Sequence, residues 1–256
     1  MKISIITVSL NNVLTIAETI ESVLAQKNAE VEHLIIDGNS DDGTVEKIAS
    51  YANRIAAWVS EPDSGIYDAM NKGLAMASGD IVGFLNADDF YADNGVLAKV
   101  AATFSDSNVD ACYSDLVYVS PDDKSKIVRY WRSSPYRVGL FAQGWCPPHP
   151  TFFVRRKIYE QFGGFDLGYS IGNDVEIMMR LLARYGIRTV YIPGITVKMR
   201  AGGISNQSFS NIFRQNVEII RAARNNDIPI NPFLFIVAKI VSRLKQFVNK
   251  PSQVRL

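Results

Sequence analysis

Two adjacent carboxylates follow an apolar run in the segment IVGFLNADDF, residues 81–90. The run Ile81–Leu85 has the composition of a buried strand, and the residues after it are NADD. Neighbouring carboxylates repel each other, and removing either from water is unfavourable. Water, a basic side chain, a helix N-terminus or a metal ion must therefore compensate their charge. A divalent cation such as Mg²⁺ or Mn²⁺ would stabilise both charges and keep positions open for phosphate oxygens.

Polar side chains also follow three earlier strand-like segments. Ligands of an open parallel sheet bind outside the carboxyl ends of its strands, so four such ends predict one carboxylate-lined cleft. This cleft would suit the hydroxyl groups of a sugar or ribose together with a hard cation. The candidate residues, in chain order, are Thr7, Ser9, Asn11, Asn12, Asp37, Glu61, Asp63, Asn86, Asp88 and Asp89.

Apolar runs of strand length alternate with segments of helical period in the first half of the chain, which predicts right-handed βαβ units and a mostly parallel sheet. The predicted strands there are Ile3–Val8, His33–Ile36, Ile55–Val59 and Ile81–Leu85, and the helices are Thr15–Gln26, Thr44–Tyr51 and Ile66–Ala77. Later strands are predicted at Ala111–Val119, Lys126–Trp131, Thr189–Ile192 and Thr196–Met199, with helices at Asp174–Tyr185, Ser208–Arg224 and Pro232–Val248.

The 256 residues, 47% of them hydrophobic, fit one large α/β domain with helices at its C-terminal end. We expect a domain over 1–225, with a nucleotide-binding half at 1–110 and an acceptor-binding half at 111–225, followed by a C-terminal helix in 226–256. A net charge of +1 predicts no nucleic-acid partner. Two cysteines, Cys112 and Cys146, form no disulfide framework and favour the cytoplasm. The N-terminus reads as a first strand rather than a signal peptide.

Four segments carry a family resemblance: TVSLNN, IIDGNSDDGT, EPDSGIYDAMNKGLAMASGD and FLNADD. In this order and spacing they resemble glycosyltransferase family 2, a family of inverting enzymes with the GT-A fold. Within it, the chain resembles bacterial enzymes that build O-antigen, capsule or exopolysaccharide repeat units. The resemblance implies transfer of a hexose from a nucleotide sugar to a lipid-linked oligosaccharide. The expected donor is a UDP sugar.

The resemblance also implies roles for single residues. The segment matching the DXD metal motif would hold a divalent metal through Asp88 or Asp89, with Asn86 in place of the usual first aspartate. Leu10 stands where an aromatic residue commonly follows the first strand. The residues implied in nucleotide-sugar binding are Thr7, Ser9, Asn11, Asp37, Asp63, Asn86 and Asp88.

Asp174, in YSIGNDVEIMMRL, is the candidate general base of the transfer. From the residues alone it reads as a carboxylate that stabilises a helix N-terminus. The segment resembles the "ED" motif of the family, whose aspartate is the base, with Asn173 in place of the glutamate. We expect the helix N-terminus to lower the pKa of Asp174 and so weaken it as a base. Glu176 is an alternative, and two residues on it points to another face of the helix.

Three further residues are candidates for contacts with the diphosphate or the acceptor, and each also has a structural reading. His149, in WCPPHPTFF, would hydrogen-bond either group. Trp145 would stack on a sugar, and Arg200 would pair with the diphosphate.

The C-terminal segment PFLFIVAKIVSRLKQFVNK predicts a basic amphipathic helix. Phe233, Ile240 and Leu244 fall near one face, and Lys239 and Arg243 on another. Such a helix either lies in a membrane interface or packs on the domain. Its apolar run is too short to span a bilayer. The interfacial reading would place the protein on the inner face of the cytoplasmic membrane.

Two other classes of protein remain open at this stage. A non-catalytic nucleotide- or sugar-binding protein of the same fold is one, and Asn86 gives it some support. A nucleotidyltransferase is the other, although no glycine follows the first strand to form a phosphate loop.

Overall fold

The computed structural model describes residues 1–202, 209–248 and 251. The predicted first residue of the penultimate helix, Ser208, lies outside these residues. So do residues 249, 250 and 252–256 of the predicted C-terminal segment. Within the described part of the chain, the strands join into one sheet in the order β3-β2-β1-β4-β8-β6-β9-β5, and β7 pairs with β6.

The first half of the chain has the predicted βαβ order. Four parallel strands lie side by side, and the apolar residues of β1, β4 and the second half of β2 are buried on both faces of the sheet. Gly73 lets α3 approach β1, since a Cβ at this position would collide with Ile6. The elements are β1 (Lys2–Ser9), α1 (Ile16–Leu24), β2 (Glu30–Asp37), α2 (Thr44–Ala49), β3 (Ala57–Ser60), α3 (Ile66–Met76) and β4 (Ile81–Phe84).

The second half extends this sheet with mixed pairing. Strand β8 is antiparallel to both β4 and β6, and so joins the parallel half to the strands beyond it. The elements are β5 (Phe90–Tyr91), α4 (Val96–Thr103), β6 (Ala111–Val119), β7 (Ile127–Trp131), β8 (Phe153–Arg155), α5 (Arg156–Phe162), α6 (Asn173–Met179), which continues as a π-helical turn over Arg180–Arg184, and β9 (Thr189–Arg200).

The prediction of two separate strands in residues 189–199 is wrong. Both parts belong to β9, which pairs with β6 on either side of Pro193-Gly194. The pairing register shifts between Tyr113 and Leu116, and Gly194 takes a φ of 118°, so the strand passes its proline without ending.

Two helices follow β9 in the described residues, α7 (Phe209–Asn225) and α8 (Pro232–Val248). Helix α7 packs on α6, and α8 packs on β7 and on the 3₁₀ turn Phe141–Gln143. Phe235 is the buried anchor of α8, and Gln246 accepts a hydrogen bond from Nε of Arg129 at 2.6 Å. No helix in the described ranges is long and apolar enough to cross a membrane.

Candidate active site

The ends of β1, β2 and β3 lie side by side at the predicted edge of the sheet. Ser9 is paired in register with Asp37, and Asp37 with Ser60. The carboxylate of Asp37 is fully buried and accepts hydrogen bonds from Oγ of Ser60 at 2.7 Å and from N and Oγ of Ser40 at 2.9 and 2.5 Å. Asp37 therefore fixes the loop that follows β2.

The loops after these three strands converge on Gly38. A Cβ on Gly38 would lie 2.6 Å from Oδ2 of Asp63 and 3.5 Å from Cδ1 of Leu10, so glycine leaves room for the carboxylate. Asn11 is exposed beside them with a φ of 55°, and its Oδ1 accepts the N–H of Asp41 at 3.1 Å. The structure therefore brings Ser9, Asn11, Asp37 and Asp63 together at one edge.

Thr7 lies deeper than the other predicted nucleotide-binding residues. It is fully buried, and its Oγ1 lies 3.0 Å from Nε2 of His33. Burial lowers the pKa of His33 to about 3, so this imidazole is neutral. Thr7 and His33 are thus a pair inside the sheet, which agrees with the structural reading of His33.

The NADD segment places two carboxylates of different exposure at the end of β4. Asp88 is partly exposed, whereas Asp89 is fully buried and Nδ2 of Asn86 donates to its Oδ2 at 3.3 Å. Within the described chain, Oδ1 of Asp89 has no hydrogen-bond partner. Burial raises the pKa of both groups, and the charge of Asp88 raises that of Asp89 further. The charge of Arg200 opposes this rise in both groups without cancelling it.

The segment is tied to the far end of the sheet by Arg200. Nη1 of Arg200 donates to the backbone oxygen of Asp88 at 2.9 Å, and Nη2 forms an ion pair with Glu18. The guanidinium also lies over the ring of Phe90, 5.2 Å from its centroid. Sequence reasoning missed Glu18, which only the packing of α1 against this segment brings to Arg200.

Asp174 is the second residue of α6, a partly buried carboxylate. Its Oδ1 is shielded from water and accepts no hydrogen bond from the described residues. Burial raises the pKa of Asp174 to about 6, which outweighs hydrogen bonds from the helix N-terminus. The expectation that the helix N-terminus lowers the pKa of Asp174 is therefore wrong. Other elements cover this end of α6, and the loss of water around the carboxylate has the larger effect.

Helix α3 supplies the neighbour of Asp174. The hydroxyl of Tyr67 donates to the backbone oxygen of Ile171 at 2.9 Å, and burial and then the charge of Asp174 raise the pKa of Tyr67. Tyr67 lies in the motif EPDSGIYDAM, and nothing in its spacing marks it as a partner of Asp174.

Glu176 faces away from Asp174, as its position in the helix predicts. It is buried, forms an ion pair with Arg180 at 3.0 Å, and accepts a hydrogen bond from Asn226 at 3.2 Å. Arg180 also donates to the backbone oxygens of Phe162 and Gly164. Glu176 therefore stabilises the loop before α6.

His149 and Trp145 lie in the aromatic part of the core. The ring of His149 stacks on Phe84 at 5.5 Å, and burial lowers the pKa of His149 to about 4. Trp145 packs against Tyr113, Tyr136 and Phe141. Toward the rest of the described chain, Nε2 of His149, Nε1 of Trp145 and the hydroxyl of Tyr136 remain without hydrogen-bond partners. Their roles in acceptor binding stay predictions.

The NADD segment and the start of α6 act on a common neighbour. Burial raises the pKa of Tyr118, and the charges of Asp89 and Asp174 raise it further. Asp89 and Asp174 therefore act electrostatically on the same tyrosine, although 84 residues separate NADD from Asp174 in the chain.

This fold is that of a GT-A glycosyltransferase. Two solved structures share it: TarS of S. aureus in complex with UDP, and a mannosyltransferase of Pyrobaculum calidifontis in complex with GDP-Man and Mn²⁺. The match to TarS has a TM-score of 0.65 at 18% identity and covers 97% of this chain and 71% of the TarS chain. The match to the mannosyltransferase has a TM-score of 0.66 at 19% identity and covers 94% of this chain and 69% of the mannosyltransferase chain.

The chain belongs to the family described as glycosyl transferase family 2, whose model matches residues 4–163. An uncharacterized glycosyltransferase of Mycobacterium tuberculosis is 33% identical over 180 residues, which are 70% of this chain and 68% of that protein. The predictions of an enzyme, of a glycosyltransferase and of the GT-A fold are therefore confirmed.

Proposed function

We propose that this protein is a metal-dependent inverting glycosyltransferase. It moves a hexose from a nucleotide sugar, a UDP sugar in the first instance, to a lipid-linked glycan during surface polysaccharide synthesis. The observation that carries the proposal is Asp174: a carboxylate with a free buried oxygen and a pKa of about 6. A base of this kind is ionised at neutral pH and still accepts a proton readily.

The nucleotide would lie on the edge formed by the loops after β1, β2 and β3. Asn11 and Asp63 present polar groups there, while Asp37 holds the loop in place through Ser40 and Ser60. The exposed side chain of Leu10 offers an apolar surface to the base. TarS binds UDP on the same fold, which supports a uridine nucleotide.

A divalent cation fits the NADD segment. Burial raises the pKa of both carboxyls despite the charge of Arg200, and one oxygen of Asp89 is free of hydrogen bonds from the described residues. No cluster of three or more metal-binding side chains occurs in residues 1–202, 209–248 and 251. Asp88 or Asp89 would be the protein's ligand. Mn²⁺ and Mg²⁺ accept one or two carboxylates and take their other ligands from phosphate and water. The cation would neutralise charge on the leaving diphosphate.

Asp174 would take the proton of the acceptor hydroxyl. The hydroxyl oxygen then forms a bond to the anomeric carbon, and the bond from that carbon to the diphosphate oxygen breaks with its electron pair on the nucleotide. Because attack and departure occur on opposite sides of the sugar, the configuration inverts. Tyr67 and Glu218 would hold the start of α6 in place during this step.

The C-terminal helix would bring the protein to the membrane that carries a lipid-linked acceptor. Its polar residues Lys239 and Gln246 face the domain, and its apolar residues other than Phe235 and Ala238 are exposed, with Phe233 at 73% and Leu244 at 61%. Every charged residue of α8 is basic, as suits a surface of anionic lipid headgroups. The exposed apolar residues are Phe233, Leu234, Ile236, Val237, Ile240, Val241, Leu244, Phe247 and Val248.

The test is a two-stage assay of donor and transfer. Thermal stabilisation by a panel of nucleotide sugars, with and without Mn²⁺, identifies the donor. The protein is then incubated with that donor, labelled in its sugar, and with membrane extracts containing lipid-linked glycans. We expect stabilisation by one nucleotide class in Mn²⁺ and label in the lipid fraction. Binding without transfer to any acceptor would instead identify a non-catalytic nucleotide-binding protein.

A further inference from the structure

The guanidinium of Arg129 lies among aromatic rings where β7 meets α8. Arg129 is paired in register with Tyr118 of β6, and its guanidinium carbon lies 4.4 Å from the centroid of that ring. The ring centroids of Trp131 and Phe247 lie 5.4 and 6.0 Å from the same carbon. Because Arg129 is only 8% exposed, its charge is almost fully removed from water, and contact with ring faces compensates part of that loss.

No carboxylate of a described residue forms an ion pair with Arg129. Its Nε donates to Oε1 of Gln246 at 2.6 Å. A second polar neighbour, the hydroxyl of Tyr118, is neutral because burial raises the pKa of Tyr118. A guanidinium has five N–H donors and stays protonated in proteins. One amide oxygen and one phenol therefore leave part of this donor set to an acceptor from outside the chain.

Arg180 shows how the same chain satisfies another largely buried arginine. The side chain of Arg180 is 13% exposed and forms an ion pair with Glu176 at 3.0 Å. Its terminal nitrogens also donate to the backbone oxygens of Phe162 and Gly164. Among the described residues, Arg129 has neither a carboxylate nor backbone oxygens of this kind, so an anionic ligand fits there.

Two further bases lie on the stripe of α8 that faces Arg129. Lys239, Arg243 and Gln246 are spaced at i, i+4 and i+7, so the two cations share a face of the helix with the amide that binds Arg129. Burial lowers the pKa of Arg129, and the charge of Arg243 lowers it further. Positive charge therefore collects where β7 meets α8, which favours a bound anion.

The lipid-facing part of α8 begins beside this place. Phe247, whose ring lies next to the guanidinium of Arg129, is 48% exposed and belongs to the exposed apolar residues of α8. An anion at Arg129 would thus lie at the edge of the surface that we assign to lipid. Phosphate is the anion that a lipid carries at such a depth, and the paired N–H groups of a guanidinium match two phosphate oxygens.

The loop that carries the predicted acceptor residues lies against the same strand. Nε1 of Trp131 donates to the backbone oxygen of Cys146 at 3.2 Å, and Cys146 lies between Trp145 and His149 in the sequence. Arg129 and Trp131 are two residues apart in β7 and so share a face of the strand. Arg129 therefore lies between the lipid-facing helix and the loop expected to meet the glycan.

We infer that Arg129 binds the phosphate group that joins the acceptor glycan to its lipid. The inference rests on the proposed function for the nature of the acceptor. The N–H donors of Arg129 would bind two phosphate oxygens, the lipid chain would follow the exposed apolar residues of α8, and the glycan would extend toward the loop before β8.

The test measures co-sedimentation with phosphatidylcholine vesicles that contain either a polyprenyl diphosphate or phosphatidylglycerol. In Arg129→Met we expect affinity for the polyprenyl diphosphate vesicles to fall at least about tenfold, because the charged donors are lost. Arg129→Lys keeps the charge without the paired donors and should lose several-fold. Lys245→Met, which removes an exposed base of the same helix, serves as the control and should stay close to wild type on these vesicles.

The phosphatidylglycerol vesicles separate two sources of the phosphate. We expect Arg129→Met to bind them nearly as wild type does, because the exposed apolar residues of α8 are unchanged. An equal loss on both kinds of vesicle would show a site for lipid headgroups in general and would overturn the assignment to the acceptor.

Thermal melts accompany the binding measurements. We expect Arg129→Met to be at least as stable as wild type, because it removes a buried charge that has no carboxylate partner among the described residues. Equal affinity of wild type and Arg129→Met for the polyprenyl diphosphate vesicles would overturn the inference, and Arg129→Lys takes the place of the methionine variant if that variant does not fold. If the wild-type protein binds this lipid through Arg129 but transfers no sugar, the proposed function fails while the phosphate site remains.

Discussion

The carboxylate of Glu218 accepts the backbone N–H of Gly172 at 3.0 Å and so closes the N-terminus of α6 from a different helix. It also accepts the N–H of Ile171 at 2.9 Å and Oγ of Ser170 at 2.7 Å. Burial alone would raise the pKa of Glu218, but these hydrogen bonds lower it. The loop that leads to Asp174 is therefore held by a charged acceptor that no residue of α6 provides.

Replacing Glu218 tests this closure. We expect Glu218→Ala to lower the free energy of unfolding by about 2 kcal/mol, since charged hydrogen bonds to backbone N–H groups are lost. Glu218→Gln keeps an acceptor oxygen and should lose less. Urea denaturation measures both, and equal stability of the alanine variant and wild type would show that the closure contributes nothing.

Asp174→Asn should stabilise the protein at pH 7. A carboxyl whose pKa rises from 3.8 to about 6 on folding binds more protons in the folded state, so stability falls as pH rises between these values. The neutral amide removes this cost, by up to about 2 kcal/mol given the partial exposure of Asp174. Thermal melts at pH 4 and pH 7 measure the difference.

The control for this change is Glu160→Gln, an exposed member of an ion pair with Arg156. We expect little change in stability there at either pH, because surface pairs contribute little. An Asp174→Asn protein less stable than wild type at pH 7 would mean that the carboxylate is stabilised, not strained, in the fold.

Asp88→Asn should weaken donor binding only where a metal takes part. We expect UDP affinity in Mn²⁺ to fall at least about tenfold, because one anionic ligand is lost. Affinity without metal should change little. Isothermal calorimetry with UDP measures both, with Asp122→Asn in an exposed turn as the matched control. Equal Mn²⁺-dependent affinity in wild type and Asp88→Asn would remove Asp88 from the metal site.

Much of the first half of the fold follows from the sequence because the apolar runs of β1 and β4 are buried on both faces. The runs Ile3–Val8 and Ile81–Leu85 have no polar face that competes with a strand assignment. The two-residue strand β5 and the three-residue strand β8 could not be predicted, since such short elements carry no periodicity and form only against β9, β4 and β6.

The candidate site was only partly predictable for a similar reason. Residues at strand ends, such as Asp37 and Asp88, follow from the rule that parallel strands share a ligand-binding edge. Tyr67 and Glu218 bind the loop before Asp174 from two other helices, α3 and α7, whose packing no local pattern specifies. One feature of the sequence could have drawn attention to Glu218: it is the sole acidic residue in the sequence of α7, Phe209–Asn225.

The outward face of α8 predicts binding to anionic vesicles. Leu244→Glu places a negative charge among exposed apolar side chains and should reduce co-sedimentation with phosphatidylglycerol-containing vesicles several-fold. Met76→Glu, an exposed apolar position on α3, serves as the control and should bind as wild type does. Equal binding by the Leu244 variant would mean that α8 does not contact lipid.

The rate of sugar transfer by Asp174→Asn at saturating donor tests the proposed base most directly. We expect transfer to fall at least about 10²-fold while the affinity for the donor nucleotide in Mn²⁺ stays close to wild type, because the amide fills the same space but accepts no proton. Transfer at the wild-type rate would contradict the assignment and require another base.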